Sequence, residues 1–224
     1  MLQGDNSNHS TSNGIIEDML AKNEEWVNKM NTYYPGFFEK SNCGQQPKVL
    51  FITCSDSRVC PTDIIGKGPG DLFVTRNIAN VVVHTDLSLL SVLQYSVEVL
   101  KVEHVIVCGH YNCGGVKAVV EKQSFGLIDS WLMHINDVTE IHKEYLASLN
   151  ENERFDAIVE LNCLNSVKNL SKTSIIRNAW KNNQNLKIHS WIYSLKTGRI
   201  SDLNVVVNNE NDADSIFKKY KLNL

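Results

Sequence analysis

The sequence lacks a hydrophobic run long enough to cross a membrane, and it lacks an excess of basic charge. Its longest apolar stretches, such as residues 78–83, are far shorter than the ~20 residues that a membrane-spanning helix needs. Its 22 basic residues are outnumbered by 25 acidic ones, so the net charge of −3 predicts no basic surface for nucleic acid. We therefore expect neither a membrane nor a nucleic acid as a partner.

The chain also lacks an internal repeat and a linker rich in proline, glycine or serine. Its first 13 residues contain no lysine, no arginine and no apolar run, so they do not resemble a secretory signal. We predict a disordered tail at 1–13 and a single domain at 14–224. Six cysteines without a signal indicate reduced thiols and a cytoplasmic location. Four of them are interpreted as structural thiols: Cys43, Cys60, Cys108 and Cys163.

Short, nearly continuous apolar runs indicate strands that are covered on both faces. They are predicted at residues 48–53, 71–75, 104–108, 186–195 and 200–207. Helices are predicted at residues 14–31, 86–100, 116–121, 128–149, 151–170, 174–182 and 212–220. The strand–helix–strand order of the first half implies parallel pairing, whereas the turn at Gly198 implies an antiparallel late strand. The fold class is therefore α/β, with a mostly parallel central β-sheet flanked by helices.

Two motifs place soft metal ligands at the ends of predicted strands. Cys54 ends the first strand, and His110 and Cys113 follow the third strand, three residues apart in a tight turn. Two thiolates and one imidazole suit Zn²⁺ with a fourth position left open for water. Gly114 and the glycine after it let the backbone approach the metal closely. Histidines elsewhere in the chain lack ligand spacing and are weaker candidates: His84, His134, His142 and His189.

A cysteine at a strand end can be merely structural, but charged neighbours favour a metal site here. Asp56 and Arg58 follow Cys54 within four residues, where burial would penalise an unpaired carboxylate. Asp56 can accept a hydrogen bond from a water molecule on the metal or can bind the metal itself. Arg58 can hold the carboxylate in either position.

These motifs carry a family resemblance. Cys54-Ser-Asp-Ser-Arg58 combined with His110-x-x-Cys113-Gly-Gly resembles the signature of β-class carbonic anhydrases, and residues 70–80 resemble the bacterial-type members. The resemblance implies a zinc enzyme, a lyase, that hydrates carbon dioxide reversibly to bicarbonate and a proton through zinc-bound hydroxide. It implies one Zn²⁺ per subunit, held by Cys54, His110 and Cys113. It also implies that Asp56 and Arg58 form the catalytic dyad.

The same resemblance implies a substrate pocket and an oligomer. Gln45, Phe73 and Tyr95 match substrate-binding positions, partly across a subunit interface, and Gly114 is expected beside them. The family forms an obligate homodimer and in some members a tetramer. Its N-terminal helix packs on a partner subunit, which would give the apolar stripe of residues 15–30 a purpose.

The resemblance also implies regulation. Some members close the site at low pH, when Asp56 becomes the fourth zinc ligand after Arg58 releases it. Those members bind a non-catalytic bicarbonate through Trp, Arg and Tyr, and the corresponding positions here are Phe51, Arg76 and Tyr193. Because phenylalanine cannot donate the indole hydrogen bond, we expect pH gating to persist while bicarbonate inhibition is weakened.

Two alternatives remain open from the sequence. The same fold and metal site can hydrolyse carbon disulfide or carbonyl sulfide instead of hydrating carbon dioxide. A catalytically inactive zinc-containing scaffold or bicarbonate sensor would also keep the three metal ligands. The intact pair of Asp56 and Arg58 argues against a scaffold, because a scaffold could lose that pair without losing the metal.

Overall fold

A computed structural model describes residues 12–219, without the side chains at 12–13 and 215–219. The tail predicted at 1–13 therefore lies almost entirely outside the described residues, and so does the end of the last predicted helix. The chain divides into two compact units, residues 1–45 and 46–224. The assignment of residues 14–224 to a single domain stays a prediction.

The first unit contains two helices, α1 (Ser12–Tyr33) and α2 (Phe37–Asn42). Gly36 separates them with a φ of 79°, a left-handed conformation that glycine adopts without steric cost. Within this unit, Trp26 packs edge-on against Phe38 with ring centroids 5.5 Å apart. The predicted helix at 14–31 is confirmed by α1, and apolar side chains remain exposed on it: Ile15, Ile16, Met19 and Leu20.

The second unit is built on a five-stranded sheet in the order β2-β1-β3-β4-β5. The strands are β1 (Val49–Cys54), β2 (Leu72–Asn77), β3 (His104–His110), β4 (Lys187–Tyr193) and β5 (Ile200–Val207). The first four pair in parallel, and β5 pairs antiparallel to β4. The predicted α/β class and the antiparallel late strand are therefore confirmed, and Gly198 makes the turn with a φ of 67°.

Helices connect the strands of this sheet, and one more helix follows the last strand. They are α3 (Pro61–Ile64), α4 (Leu87–Gln94), α5 (Gly114–Val120), α6 (Leu127–Ile141), α7 (Lys143–Ala147), α8 (Glu151–Ser171), α9 (Ser174–Lys181) and α10 (Glu210–Lys219). Asp86 caps α4 by accepting hydrogen bonds from two backbone amides, and a π-helical turn over Tyr95–Val99 extends that helix as predicted. The helix predicted at 128–149 is divided at His142, whose φ of −103° lies outside the helical range.

The core explains why the strands read as apolar runs. Leu50, Ile52, Val105 and Val107 belong to the main core cluster, together with Leu161, Leu164 and Val167 of α8. Phe51, Ile106 and Cys108 point to the other face and form a second, smaller cluster. Because both faces of the sheet are covered, successive residues of each strand are apolar whichever face they point to. Among the described residues, every helix is too short or too polar to cross a bilayer.

Candidate metal centre

The three predicted metal ligands meet at the carboxyl end of the sheet. Cys54 is the last residue of β1, His110 is the last residue of β3, and Cys113 immediately precedes α5. Their ligand atoms all lie within 4.8 Å of one another, and all three side chains are buried. Sγ of Cys54 lies 4.0 Å from Sγ of Cys113. This donor set of two sulfurs and one imidazole nitrogen fits a tetrahedral Zn²⁺ with one open position.

The histidine is oriented for metal binding by its neighbour. His110 Nδ1 lies 3.0 Å from the carbonyl oxygen of Tyr111 and donates a hydrogen bond to it, which in the neutral tautomer places the lone pair on Nε2. This Nε2 is buried and has no hydrogen-bond partner among the described residues. A buried nitrogen with a free lone pair needs a partner, and a cation supplies one.

Backbone amides surround both sulfur atoms. The amides of Val116 and Gly115 at the start of α5 act to lower the pKa of Cys113, and the amide of Ala79 donates to the sulfur of Cys54 at 3.3 Å. Such donors, like the amino end of a helix, favour a thiolate. The chemistry of both sulfurs therefore suits metal binding.

The thiols of Cys54 and Cys113 are coupled to each other through their contact at 4.0 Å. Their mutual hydrogen bond lowers the pKa of Cys54 and raises the pKa of Cys113. Burial raises the pKa of Cys113 further. A second thiolate at this distance becomes stable when a cation neutralises the pair, so the arrangement favours a divalent metal.

Asp56 and Arg58 form a bidentate ion pair beside the ligands. Arg58 donates from Nε to Oδ1 of Asp56 at 2.9 Å and from Nη2 to Oδ2 at 2.7 Å, and its backbone amide also donates to Oδ1 at 2.9 Å. These hydrogen bonds hold the pKa of Asp56 well below its usual range. Asp56 Oδ2 lies 3.8 Å from His110 Nε2, so an ionised carboxylate faces the open side of the ligand set.

Arg76 holds the backbone of the same loop. It donates from Nε to the carbonyl oxygen of Cys54 at 3.0 Å and from Nη2 to the carbonyl oxygen of Asp56 at 2.7 Å. The family resemblance places this arginine in a bicarbonate pocket, and nothing in the sequence indicates these contacts with the loop that carries Cys54 and Asp56. Its guanidinium group fixes the loop between the metal ligand and the carboxylate.

A cavity of about 370 Å³ adjoins the ligands and is lined by Cys54, Asp56 and Gly114. Its apolar lining comes from Ile78, Ala118, Phe125, Ile128 and Leu132. Gly114 faces this space, since a Cβ added there would meet nothing within 4 Å. A Cβ on Gly115 would instead lie 3.2 Å from the Cβ of Ala79, so Gly115 is the glycine that close packing requires.

Comparisons with known proteins agree with this geometry. Residues 49–200 match the family profile described as carbonic anhydrase. A carbonic anhydrase of Emericella nidulans is 42% identical over 190 residues, which cover 84% of this chain and 83% of the relative. The solved β-carbonic anhydrase of Aspergillus fumigatus is 35% identical, with a TM-score of 0.84 over 92% of this chain and 98% of the other.

The chain belongs to the β-carbonic anhydrase family. A second solved relative, the β-carbonic anhydrase of Coccomyxa in complex with acetazolamide, is 31% identical. It has a TM-score of 0.85 over 93% of this chain and 98% of the other. One of two β-carbonic anhydrases described as tetrameric in Sordaria macrospora is 36% identical, with a TM-score of 0.82 over 86% and 98% of the two chains.

The other substrate residues expected in a β-carbonic anhydrase lie apart from this cavity. Phe73 and Tyr95 contact each other, with ring centroids 5.8 Å apart, but neither lines the cavity beside Cys54 among the described residues. Phe73 precedes Asn77, the partner of Cys54 in the sheet, by four residues, or about 13 Å of strand. Gln45 is exposed at the end of the first unit. Their substrate roles stay predictions.

The residues expected to bind a non-catalytic bicarbonate are partly gathered. Phe51 is fully buried, and Tyr193 packs against the same small cluster, whereas Arg76 binds the metal loop as described. Trp191 also packs there, with its ring centroid 6.3 Å from that of Phe51. The indole nitrogen of Trp191 is buried and has no hydrogen-bond partner among the described residues. An indole donor therefore lies near position 51, and weakened bicarbonate inhibition stays a prediction.

The segment that follows β2, residues 78–82, has a strained backbone beside the predicted metal ligands. Ala79 has φ 61° and ψ 25°, and Asn80 has φ 49°, so two consecutive residues with side chains are left-handed. Such conformations cost on the order of 1–3 kcal/mol each and persist when surrounding contacts enforce them. One such contact is the hydrogen bond from Trp131 Nε1 to the carbonyl oxygen of Ile78, at 2.9 Å. No sequence pattern predicts the two left-handed conformations, because neither Ala79 nor Asn80 is a glycine.

Proposed function

We propose that this chain hydrates carbon dioxide reversibly to bicarbonate and a proton at one Zn²⁺ per subunit, held by Cys54, His110 and Cys113. The observation that supports this most directly is the buried Nε2 of His110, which has no hydrogen-bond partner among the described residues and lies close to two sulfur atoms and a carboxylate. Zinc supplies Lewis-acid chemistry there, lowering the pKa of water from ~15.7 toward neutrality. The remaining steps depend on the side chains around it.

Asp56 and Arg58 supply the polar side of the reaction. Arg58 fixes both carboxylate oxygens, so Asp56 Oδ2 would accept a hydrogen bond from water or hydroxide held at the metal position in a defined direction. Because the pKa of Asp56 is depressed, the carboxylate stays an acceptor at neutral pH, and the proton released when the bound water becomes hydroxide would pass to buffer. The nearby apolar lining, which includes Ile78 and Leu132, suits a small uncharged substrate such as carbon dioxide.

The decisive test is a carbon dioxide hydration assay on the zinc-loaded protein, with carbonyl sulfide and carbon disulfide measured in parallel. We expect carbon dioxide hydration to exceed hydrolysis of either sulfur substrate and to stop when a chelator removes the metal. Hydrolysis of a sulfur substrate without hydration of carbon dioxide would support the alternative enzyme. Full zinc content without either activity would support the inactive scaffold or sensor.

The proposal extends to pH gating through Asp56 as a conditional fourth ligand. The carboxylate lies 3.8 Å from His110 Nε2. Among the described ionisable side chains, only Arg58 and His110 lie within ion-pairing distance of it, and Arg58 holds it. Hydroxide becomes scarcer as pH falls, so a carboxylate that leaves Arg58 competes better for the open metal position. The depressed pKa keeps Asp56 ionised between about pH 6 and 9, so its own protonation does not cause the loss.

Gating predicts that activity falls steeply as pH decreases within this range. The measurement is kcat/KM for carbon dioxide hydration against pH, combined with the absorption spectrum of the cobalt-substituted protein at the same pH values. The spectrum should change with the activity, because replacing water by a carboxylate alters the metal coordination. A profile that fits one non-cooperative ionisation, with an unchanged spectrum, contradicts the gating.

The proposal includes a homodimer, with a tetramer as the alternative assembly, and exposed apolar surface supports it. Strand β2 is an edge strand, and Val74 on it is exposed. A cavity of about 860 Å³ beside this edge is lined by residues that include Thr75, Ile78 and Trp131. A second subunit at this edge could bring Phe73 and Tyr95 to the neighbouring site, and the apolar residues of α1 would pack on it. A cytoplasmic location is proposed from the six free cysteines.

A further inference from the structure

Helix α8 presents a row of polar side chains to the strained segment. These side chains are spaced by four and three residues and therefore share one face of the helix: Asn162 and Ser166, which are buried, and Asn169, which is half-buried. Asn162 Nδ2 donates to the carbonyl oxygen of Ala79 at 2.8 Å. Asn169 Nδ2 donates to the carbonyl oxygen of Val82 at 2.8 Å. The row thus follows the segment away from the metal ligands.

Ser166 binds the middle of the segment in both directions. Its hydroxyl donates to the carbonyl oxygen of Asn80 at 3.1 Å and accepts from the backbone amide of Val82 at 3.1 Å. Asn162 and Ser166 are 3% and 1% exposed, so these polar groups lie inside the core. Polar groups at such depth are unfavourable unless they are paired, and here each contact is made to the backbone of one segment.

Ala79 connects this polar row to both cysteine ligands. Its carbonyl oxygen accepts from Asn162, while its amide donates to the sulfur of Cys54 at 3.3 Å. Its Cβ lies against Gly115, two residues after Cys113, where an added methyl group would approach to 3.2 Å. The left-handed backbone of Ala79 is the conformation in which these three contacts coexist. Pairing of a buried carbonyl alone would not require that conformation.

We propose that Asn162 is a positioning residue of the metal centre, acting through Ala79 on the sulfur of Cys54. By holding the Ala79 carbonyl, it keeps the Ala79 amide directed at the sulfur and so controls the orientation and electron donation of that ligand. The inference rests on zinc binding at this site, as proposed above. Loss of a hydrogen-bond partner to a metal ligand typically weakens metal binding by about 10–100-fold.

The test compares Asn162→Leu with Asn169→Leu as a matched control. Both substitutions remove one 2.8 Å hydrogen bond from an asparagine of α8 to the same segment. We expect zinc transfer to a chelator to be about tenfold faster in Asn162→Leu and within about twofold of wild type in Asn169→Leu. The sulfur-to-cobalt absorption of the cobalt-substituted protein should shift only in Asn162→Leu. Equal release rates and equal spectra in the two variants overturn the inference.

A second substitution tests the conformational step. Glycine adopts the left-handed conformation without a Cβ penalty, so Ala79→Gly should restore slow zinc release when added to Asn162→Leu. Release that stays fast in the double variant shows that Asn162 does not act through the Ala79 backbone. If Asn162→Leu does not fold, Asn162→Ser replaces it under the same criteria, because the serine hydroxyl is too short to reach the Ala79 carbonyl.

Failure of this inference differs from failure of the proposed function. A wild-type protein that takes up no zinc overturns both. A wild-type protein that binds zinc and hydrates carbon dioxide, while Asn162→Leu and Asn169→Leu release zinc equally, overturns the positioning role alone. Melting curves of the metal-free variants complete the comparison, since a merely structural role of Asn162 would lower the melting temperature without changing zinc release relative to the control.

Discussion

The variant Asp56→Ala is expected to lose at least about 100-fold in kcat/KM for carbon dioxide hydration while it keeps its zinc. The carboxylate makes two hydrogen bonds to the Arg58 side chain and faces the ligand set, so its loss removes the acceptor that orients the attacking water. The metal should stay bound because three buried ligands remain. Hydration kinetics and zinc content, measured on the same preparation, check both parts of the expectation.

A carboxylate elsewhere on the same connection supplies the control for this variant. Asp63 in α3 is exposed and lies seven residues further along, so Asp63→Ala removes the same charge without touching the ligand set. We expect its kcat/KM to stay within about twofold of wild type, as for most exposed substitutions. An Asp56→Ala protein with full zinc and wild-type activity would contradict the assigned role. Loss of zinc together with activity would make Asp56 a structural residue instead.

The sheet and the candidate metal ligands could be predicted from the sequence because both depend on side-chain identity. The strands that are covered on both faces read as apolar runs, and each predicted run overlaps an observed strand. Cys54, His110 and Cys113 could be recognised because their spacing suits one metal ion and because Asp56 and Arg58, next to Cys54, favour a metal site over a structural cysteine. The close packing of Gly115 could likewise be anticipated from the absence of a side chain.

Features that depend on backbone geometry could not be predicted from the sequence. The division between α6 and α7 at His142 does not interrupt the apolar pattern, so periodicity alone predicted one helix. The left-handed conformation of Ala79 was hidden because neither Ala79 nor its neighbour Asn80 is a glycine. The amide of Ala79 carries no signal in the sequence, since almost every residue has one. Asn162 and Ser166 did leave a signal, as polar residues on the buried side of a helix.

The residues predicted to bind substrate could not be placed at the site from a single chain. Phe73 and Tyr95 pair with each other at the β2 edge rather than in the cavity beside Cys54. A site completed by a second subunit cannot be read from the packing of one chain, whatever the quality of the sequence motif. The three candidate metal ligands can be placed from one chain because β1, β3 and the turn before α5 all belong to one unit.

Replacement of a metal ligand should have the largest effect of all. Cys113→Ala is expected to lower the zinc content from about one per subunit to near zero and to reduce hydration by at least about 1,000-fold. Two ligands would remain, and the Cys54 thiolate would lose the cation that balances it. Zinc analysis and hydration assays measure the two losses. Melting curves with and without a chelator add a third readout, because binding to the folded state stabilises it.

Cys108→Ala is the matched control, because it removes another buried sulfur only two residues before His110. Burial raises the pKa of Cys108, so that residue stays a protonated thiol and cannot serve as a ligand. Both substitutions should destabilise the metal-free protein to a similar extent, since each empties a similar volume. A chelator should therefore lower the melting temperature of Cys108→Ala, as in wild type, and leave that of Cys113→Ala unchanged. Full zinc content in Cys113→Ala would show that a different group completes the metal site, which the distances among the three buried ligands oppose.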